Sequence, residues 1–173
     1  RAYWRATQGW RRAGVPALLS VALAVTTYAL SLRSDFGGDD LLLVRNARNT
    51  GWSFSALSHT FAWDQQDITE GWVPAEFRNF RLVYFRPVIM ATLKMDLWLW
   101  GTWAPGFYLT NILLYGAITY LVYLWGADFG LGRRERLLLV LLFGTYSVNQ
   151  AAVVQINGRT ELVAALFMLA SIL

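Results

Sequence analysis

Residues 105–136 read PGFYLTNILLYGAITYLVYLWGADFGLGRRER. The stretch is apolar for about 20 residues, which as an α-helix is about 30 Å and long enough to cross the hydrocarbon core of a bilayer. Three of its last four residues, 133–136, are arginines. Because short loops rich in arginine stay on the cytoplasmic side of a membrane, the stretch predicts a span, residues 105–126, that ends in a cytoplasmic loop, residues 127–136.

Three further apolar stretches predict spans over residues 13–32, 137–156 and 160–173. A basic and aromatic flank at residues 4–12 precedes the first of them and places the N-terminus in the cytoplasm. A secretory signal peptide has a similar flank, but its apolar region is shorter than this one. The last stretch is too short to cross alone, so we expect residues beyond Leu173 to complete that span.

The composition is that of a membrane protein. Of 173 residues, 56% are hydrophobic and 15% are charged, whereas about a quarter of a soluble domain is charged. Nine Trp and eight Tyr suit the aromatic belts at headgroup depth. The net charge of +4, spread over short loops, is typical of topology control and contact with anionic lipid, not of a nucleic-acid groove. We therefore predict an all-α fold: one polytopic integral membrane module over residues 1–173, with about four transmembrane helices and a long helical external loop.

The loop between the first two spans, residues 33–104, holds most of the acidic side chains. The topology places this loop outside the cytoplasm, in a protein of the cell inner (cytoplasmic) membrane. Within it, residues 87–100 predict a helix that is short for a span and carries Lys94 and Asp96. Because ionised groups are costly at mid-bilayer depth, we expect this helix to lie at the interface, with both charges near a membrane surface.

Metal and thiol chemistry find little support in the sequence. The chain has no cysteine, which excludes disulfides, thiolate metal sites and cysteine nucleophiles. Its single histidine, His59, excludes a multi-histidine metal site, and we expect it to be solvated or interfacial. No metal site is predicted and the cofactor is unknown; a divalent metal ion stays open, with no cysteine or histidine cluster to hold it.

Three local patterns resemble, in order and topology, the GT-C superfamily of polyprenyl-phosphate-dependent glycosyltransferases. They are FGGDD at 36–40, YFRPV at 84–88 followed by GFYLTNILL at 106–114, and NGRTELVAALF at 157–167. Together they look most like the protein O-mannosyltransferase branch, including the membrane domains of tetratricopeptide-repeat-bearing mannosyltransferases. The resemblance covers residues 13–173, and it implies a GT-C-like fold of which this chain is the first third or so. The chain begins without Met and stops within an apolar run, so we expect it to be part of a longer protein.

The resemblance implies roles for four residues. Asp39 would be the acidic residue at the catalytic centre and Asp40 its catalytic neighbour, since an acceptor hydroxyl attacking a sugar C1 needs a carboxylate to take its proton. Arg86 would bind the departing lipid phosphate, as relatives place a Lys or Arg there. Arg159 is a second phosphate candidate. A guanidinium suits this work because its planar fork donates two parallel hydrogen bonds.

Simpler interpretations stand beside these. Asp39 and Asp40 could only cap a helix at the membrane surface. Arg86 could snorkel its charge to the interface. Arg159 and Glu161 could form a local turn pair that anchors a helix end.

One departure from the family pattern bears on activity. Mannosyltransferase-like relatives usually carry a His and a Glu shortly before the Gly-Arg turn, and the matching stretch here, residues 149–152, is Asn-Gln-Ala-Ala. The sequence leaves two functional hypotheses open.

The first hypothesis is a polyprenyl-phosphate-sugar-dependent, mannosyltransferase-like glycosyltransferase domain that acts on an extracytoplasmic acceptor. The alternative is a non-catalytic, GT-C-derived transmembrane structural or accessory subunit of a larger membrane complex. The expected partners are the lipid bilayer, a polyprenyl-phosphate sugar donor and, for the alternative, other membrane subunits.

Overall fold

The computed structural model describes residues 14–49 and 86–173. The predictions for the flank at residues 4–12, for His59 and for the part of the external loop at residues 50–85 lie outside the described residues.

The described part of the chain is helical and contains no strand, which confirms the prediction of an all-α membrane fold. The helices are α1 Gly14–Tyr28, α2 Gly38–Asn49, α3 Pro87–Trp100, α4 Ala104–Asp128, α5 Arg133–Thr145, α6 Gln150–Val154 and α7 Arg159–Ile172. A 3₁₀ helix, Ala29–Arg33, continues α1, and another, Ser147–Asn149, precedes α6.

Two helical segments of the described residues are long and apolar enough to cross a membrane, Gly14–Arg33 with 20 residues and Ala104–Asp128 with 25. A third span arises if α5 and the segment Ser147–Val154 cross together, with a bend of 48° between them. The region predicted as one continuous span at 137–156 is thus broken. Helix α7 has 14 residues and falls below the length of a span.

The chain divides into two compact units. The first unit contains Arg1–Ser34 and Tyr108–Leu173, and therefore α1, most of α4, and α5 to α7. The second unit contains Asp35–Phe107, with α2 and α3.

Helix α4 is the central helix of the first unit. Over half of its most apolar 18-residue window is buried inside the protein (56%), against 28% for the first span. Its buried side chains meet those of α1, α6 and α7 in one apolar core. The core residues are Ala24, Tyr28, Ile112, Tyr115, Ile118, Val122, Val153, Leu162 and Leu169.

Two glycines allow close helix packing in this unit. A Cβ at Gly116 of α4 would lie 3.1 Å from the Cα of Val21 in α1. A Cβ at Gly144 of α5 would lie 2.5 Å from Cδ2 of Leu23, also in α1. Since apolar side chains gain little by leaving lipid for protein, such small residues bring helix backbones close enough for dispersion contacts to hold the helices together.

The break after α5 is bridged by side chains. The hydroxyl of Tyr115 in α4 donates a hydrogen bond to the carbonyl oxygen of Phe143 at 2.7 Å. The side-chain amide of Asn149 donates to that same oxygen at 3.1 Å and to the Tyr115 hydroxyl at 2.8 Å. The ring of Tyr115 also stacks on that of Phe143, with centroids 5.8 Å apart. The carbonyl of Phe143 loses its usual helical partner at the break, and two side chains bond to it in addition to the backbone N–H of Tyr146 at 3.3 Å, as an apolar surrounding requires.

We expect Tyr115→Phe to lower the free energy of unfolding by about 1–2 kcal/mol. The variant loses the hydrogen bond from the hydroxyl to the Phe143 carbonyl, and the Asn149 amide loses one of its two acceptors. The matched control is Tyr146→Phe, since the side chain of Tyr146 is exposed. That change should stay within about 0.5 kcal/mol. Thermal unfolding in detergent measures both, and equal losses would contradict the bridging role of Tyr115.

Candidate functional site

The two acidic candidates lie in the first turn of α2, in the second unit. The helix begins at Gly38, whose φ of +46° is a left-handed conformation that glycine adopts without steric cost. Asp39 and Asp40 are therefore the second and third residues of the helix, whereas the simpler interpretation made them its N-cap. The backbone N–H of Asp40 donates to the carbonyl of Gly37 at 2.9 Å. Both carboxylates lie at the helix end where the dipole favours negative charge.

The two carboxylates differ in their surroundings. Asp39 is exposed, whereas Asp40 is buried, with 7% of its surface accessible. The buried positions of α2 recur at intervals of three and four residues, so that Asp40 lies on the face that carries Leu43, Val44 and Ala47. Helix α2 packs on α3. A carboxylate at the Asp39 position can meet a substrate, while Asp40 is held inside the protein.

Arg86 lies in the same unit as the two carboxylates and directly precedes α3. Its carbonyl accepts the N–H of Met90 at 3.0 Å, and Pro87 follows it in the first turn of the helix. The side chain is half-buried and has interaction partners within the protein. A guanidinium beside the N-terminus of a 14-residue helix combines two positive features that suit an anion such as phosphate.

Helix α3 carries two buried charges that the sequence did not mark as site residues. Lys94 is 1% exposed and Asp96 is 0% exposed, and both have interaction partners in the protein. Burial lowers the pKa of the Lys94 ammonium. Their predicted position near a membrane surface stays a prediction, but both side chains point into protein. Ionisable residues in a membrane protein are expected to face the protein interior, and that rule was the available signal.

Arg159, at the start of α7, lies in the first unit and is fully buried. Its Nε donates to Oδ1 of Asn111 at 2.8 Å. The Nδ2 of Asn111 donates in turn to the carbonyl oxygens of Gln155 at 2.8 Å and Val153 at 3.3 Å. These bonds join α4, the end of α6 and the start of α7, and we call Arg159, Asn111 and the two carbonyls the buried clamp. A phosphate that contacts Arg159 would have to enter this clamp.

The turn before Arg159 depends on a glycine. A Cβ at Gly158 would lie 2.6 Å from the Cα of Ala152 and 2.7 Å from the carbonyl oxygens of Ala151 and Ala152. No larger side chain fits without moving backbone. Gly158 therefore permits the approach of α7 to α6 that brings Arg159 within reach of Asn111.

The structure thus groups the four predicted residues by unit. Asp39, Asp40 and Arg86 belong to the second unit, and Arg159 belongs to the first. The family resemblance also implies that Asp39, Arg86 and Arg159 converge on one external cavity, and this convergence stays a prediction. Among the described residues there is no cluster of three or more His, Cys, Asp or Glu side chains that could hold a metal ion.

Asn111 is the residue whose role the sequence analysis missed. It stands in the pattern at 106–114 and its partner stands in the pattern at 157–167, so two of the three patterns that carry the family resemblance are in contact. A lone asparagine in an apolar span was a signal, because polar side chains in membrane helices usually bond to a neighbouring helix.

Asn149 occupies the region where mannosyltransferase-like relatives carry a His and a Glu. Here its amide bonds to Tyr115 and to the carbonyl of Phe143, as described for the break after α5. The side chain of Asn149 therefore links α4 to the end of α5 through these hydrogen bonds.

The clamp predicts that Arg159→Gln lowers the free energy of unfolding by about 1.5–3 kcal/mol, the range for a hydrogen bond to a charged group. Glu161→Gln is the control, since Glu161 is exposed on the same helix and should change stability by less than about 0.5 kcal/mol. Thermal unfolding in detergent compares the two. An Arg159 variant as stable as the Glu161 variant would show that the clamp does not contribute to the free energy of unfolding.

The comparisons with known proteins agree with the patterns in the sequence. The chain is similar to protein O-mannosyl-transferase TMTC4 of Mus musculus, with 34% identity over 103 residues that cover 51% of this chain and 14% of the relative. The protein of the same name from Homo sapiens matches with the same identity and coverage. The chain thus spans about one seventh of the length of these relatives. No family model and no solved structure matches it at a significant level.

The predicted family resemblance is confirmed by these matches. Apolar helices and membrane-protein relatives together make this chain a helical membrane protein. By sequence it has a mannosyltransferase-like relationship of the GT-C type.

Proposed function

We propose that this chain is the membrane domain of a glycosyltransferase that moves a sugar, mannose in the first instance, from a polyprenyl-phosphate donor to an extracytoplasmic hydroxyl acceptor. The observation that carries the proposal is the sequence relationship to protein O-mannosyl-transferases. The placement of Asp39 supports it, because an exposed carboxylate follows the first span by six residues, the position at which the family pattern sets its acidic residue.

In the proposed reaction, the acceptor oxygen attacks C1 of the donor sugar and its proton passes to the Asp39 carboxylate. The new C1–O bond forms as the bond between C1 and the donor phosphate oxygen breaks. The electron pair leaves with the polyprenyl phosphate, and the configuration at C1 is inverted. Asp39 suits the role of general base because it is accessible, and general bases act within hydrogen-bond reach of the proton they remove.

The phosphate that leaves needs a stable cationic partner. Arg86 has that role in the proposal, since its guanidinium can donate two parallel hydrogen bonds to a phosphate and directly precedes the positive end of α3. Arg159 remains a second candidate through its Nη atoms, because its Nε is committed to Asn111. Asp40 acts from its buried position by fixing the first turn of α2, which carries Asp39.

The proposed topology puts this chemistry outside the cytoplasm. The N-terminus and the arginine loop at residues 127–136 face the cytoplasm, and the loop that carries Asp39 faces the opposite side of the inner membrane. The donor then lies in the bilayer with its phosphate at headgroup depth, within reach of the external loop.

The direct test is transfer from polyprenyl-phosphate mannose by the purified protein in proteoliposomes. Asp39→Asn should lower kcat by about 100-fold or more, because positioned proton transfer contributes about 10²–10⁴-fold to a rate. Asp128→Asn is the matched control, as this exposed aspartate ends α4 and should leave kcat within about twofold of the wild-type value.

Equal turnover by the wild type and Asp39→Asn would remove the catalytic role of Asp39. An intact wild-type protein without turnover on any lipid-phosphate sugar would contradict the transferase itself and leave the accessory subunit as the explanation.

The topology has its own test, since the chain has no cysteine that would interfere with labelling. We expect Ser34→Cys and Leu131→Cys, both at exposed positions, to react with a membrane-impermeant maleimide from opposite sides of the membrane. Leu131→Cys should react only in inside-out vesicles. Labelling of both variants from the same side would contradict the proposed orientation of α4.

A further inference from the structure

Helix α3 buries two charged side chains and exposes large apolar ones, whereas a helix on the surface of a soluble protein exposes its charged side chains. Its buried positions include Lys94 and Asp96 together with Ile89, Met90 and Leu93. Its exposed side chains are apolar: Val88 is 44% exposed, Met95 49%, Trp98 75% and Leu99 51%. At 100° per residue these four fall within an arc of about 100°, which makes one continuous stripe along the helix. A stripe of large apolar groups facing outward, above charges facing inward, fits contact with lipid better than contact with water.

A cleft with a cationic side chain lies at the C-terminal end of this stripe. It has a volume of about 500 Å³ and is lined by Arg48, Leu97, Trp98, Gly101 and Thr102. Arg48 is the penultimate residue of α2 and is exposed. Thr102 is also exposed and adds a hydroxyl donor. The volume lies within the range of about 300–1,000 Å³ that small-molecule sites have.

We propose that α3 lies in the headgroup region of the membrane along this stripe, and that the cleft binds the phosphate of an anionic phospholipid. Arg48 supplies the opposite charge, and Thr102 donates a hydrogen bond to the same phosphate. The indole of Trp98, both in the cleft and on the stripe, lies where amphipathic rings are favoured, between headgroups and acyl chains. The acyl chains then run along Met95 and Leu99.

The occupant is a lipid and not a soluble anion for two reasons on the same helix. The stripe leads directly into the cleft through Trp98, so a ligand with an apolar tail buries more surface than a phosphate alone. Helix α3 has 14 residues, which is too short to cross the bilayer but suits a helix lying in its surface. This site does not rest on the proposed transferase activity.

The test is native mass spectrometry of the full chain in detergent, titrated with phosphatidylglycerol or phosphatidylcholine. We expect Arg48→Gln to weaken the tightest phosphatidylglycerol binding about tenfold, as the loss of one charge-assisted hydrogen bond implies. Arg45→Gln is the matched control, because Arg45 is exposed on the same helix and does not line the cleft. Its affinity should stay within about twofold of the wild-type value. Trp98→Ser should also weaken binding, and equal melting temperatures show that each variant is folded.

Three results would overturn the proposal. The first is an equal loss of affinity in the Arg48 and Arg45 variants, which would show that lipid binding depends on the net charge of the protein and not on the cleft. The second is equal affinity for phosphatidylcholine and phosphatidylglycerol, which would show that binding does not require an anionic headgroup. The third is displacement of phosphatidylglycerol by soluble glycerol phosphate at comparable concentrations, which would make the cleft a phosphate site without a lipid.

Discussion

The first unit depends on two polar side chains that α4 presents one helical turn apart. Tyr115 bonds to the backbone carbonyl of Phe143 before α6, and Asn111 bonds to those of Val153 in its last turn and Gln155 just after it. Away from water, an unsatisfied carbonyl costs several kcal/mol, so a helix can break inside a membrane only where the protein supplies new partners. Helix α4 supplies such partners on both sides of the short helix α6, in addition to the backbone N–H groups of Tyr146 and Gly158.

The same constraint explains why so many residues of the family patterns are structural. Arg159 bonds to Asn111, and Gly158 lets the two segments approach. Asn149 completes the bridge at the other break. The Gly-Arg turn of this membrane protein therefore has a role in holding helices together that is separate from any contact with substrate. The carboxylate proposed for catalysis, Asp39, belongs to the second unit, where it is exposed and its neighbour Asp40 is buried.

Much of this architecture could be predicted from local sequence, and the rest could not. The long spans are visible because hydrocarbon burial requires about 20 apolar residues in a row, and α4 satisfies that rule by itself. The break after Thr145 is not visible in this way, since no proline occurs there and its stabilising partner, Tyr115, lies 28 residues before Phe143. Likewise, the burial of Arg159 follows from a contact with a residue 48 positions earlier. Local hydropathy carries no information about such pairs.

The order of these residues along the chain has a consequence for how the protein enters the membrane. Helix α4 leaves the ribosome before the segments that its polar side chains will bond to. At about 5–20 residues per second, the 48 residues that separate Asn111 from Arg159 take roughly 2–10 seconds to be made. During that interval α4 is a helix with an asparagine and a tyrosine that have not yet met their partners. The hydrogen bond between Asn111 and Arg159 can therefore form only after the start of α7 has been synthesised and has reached α4.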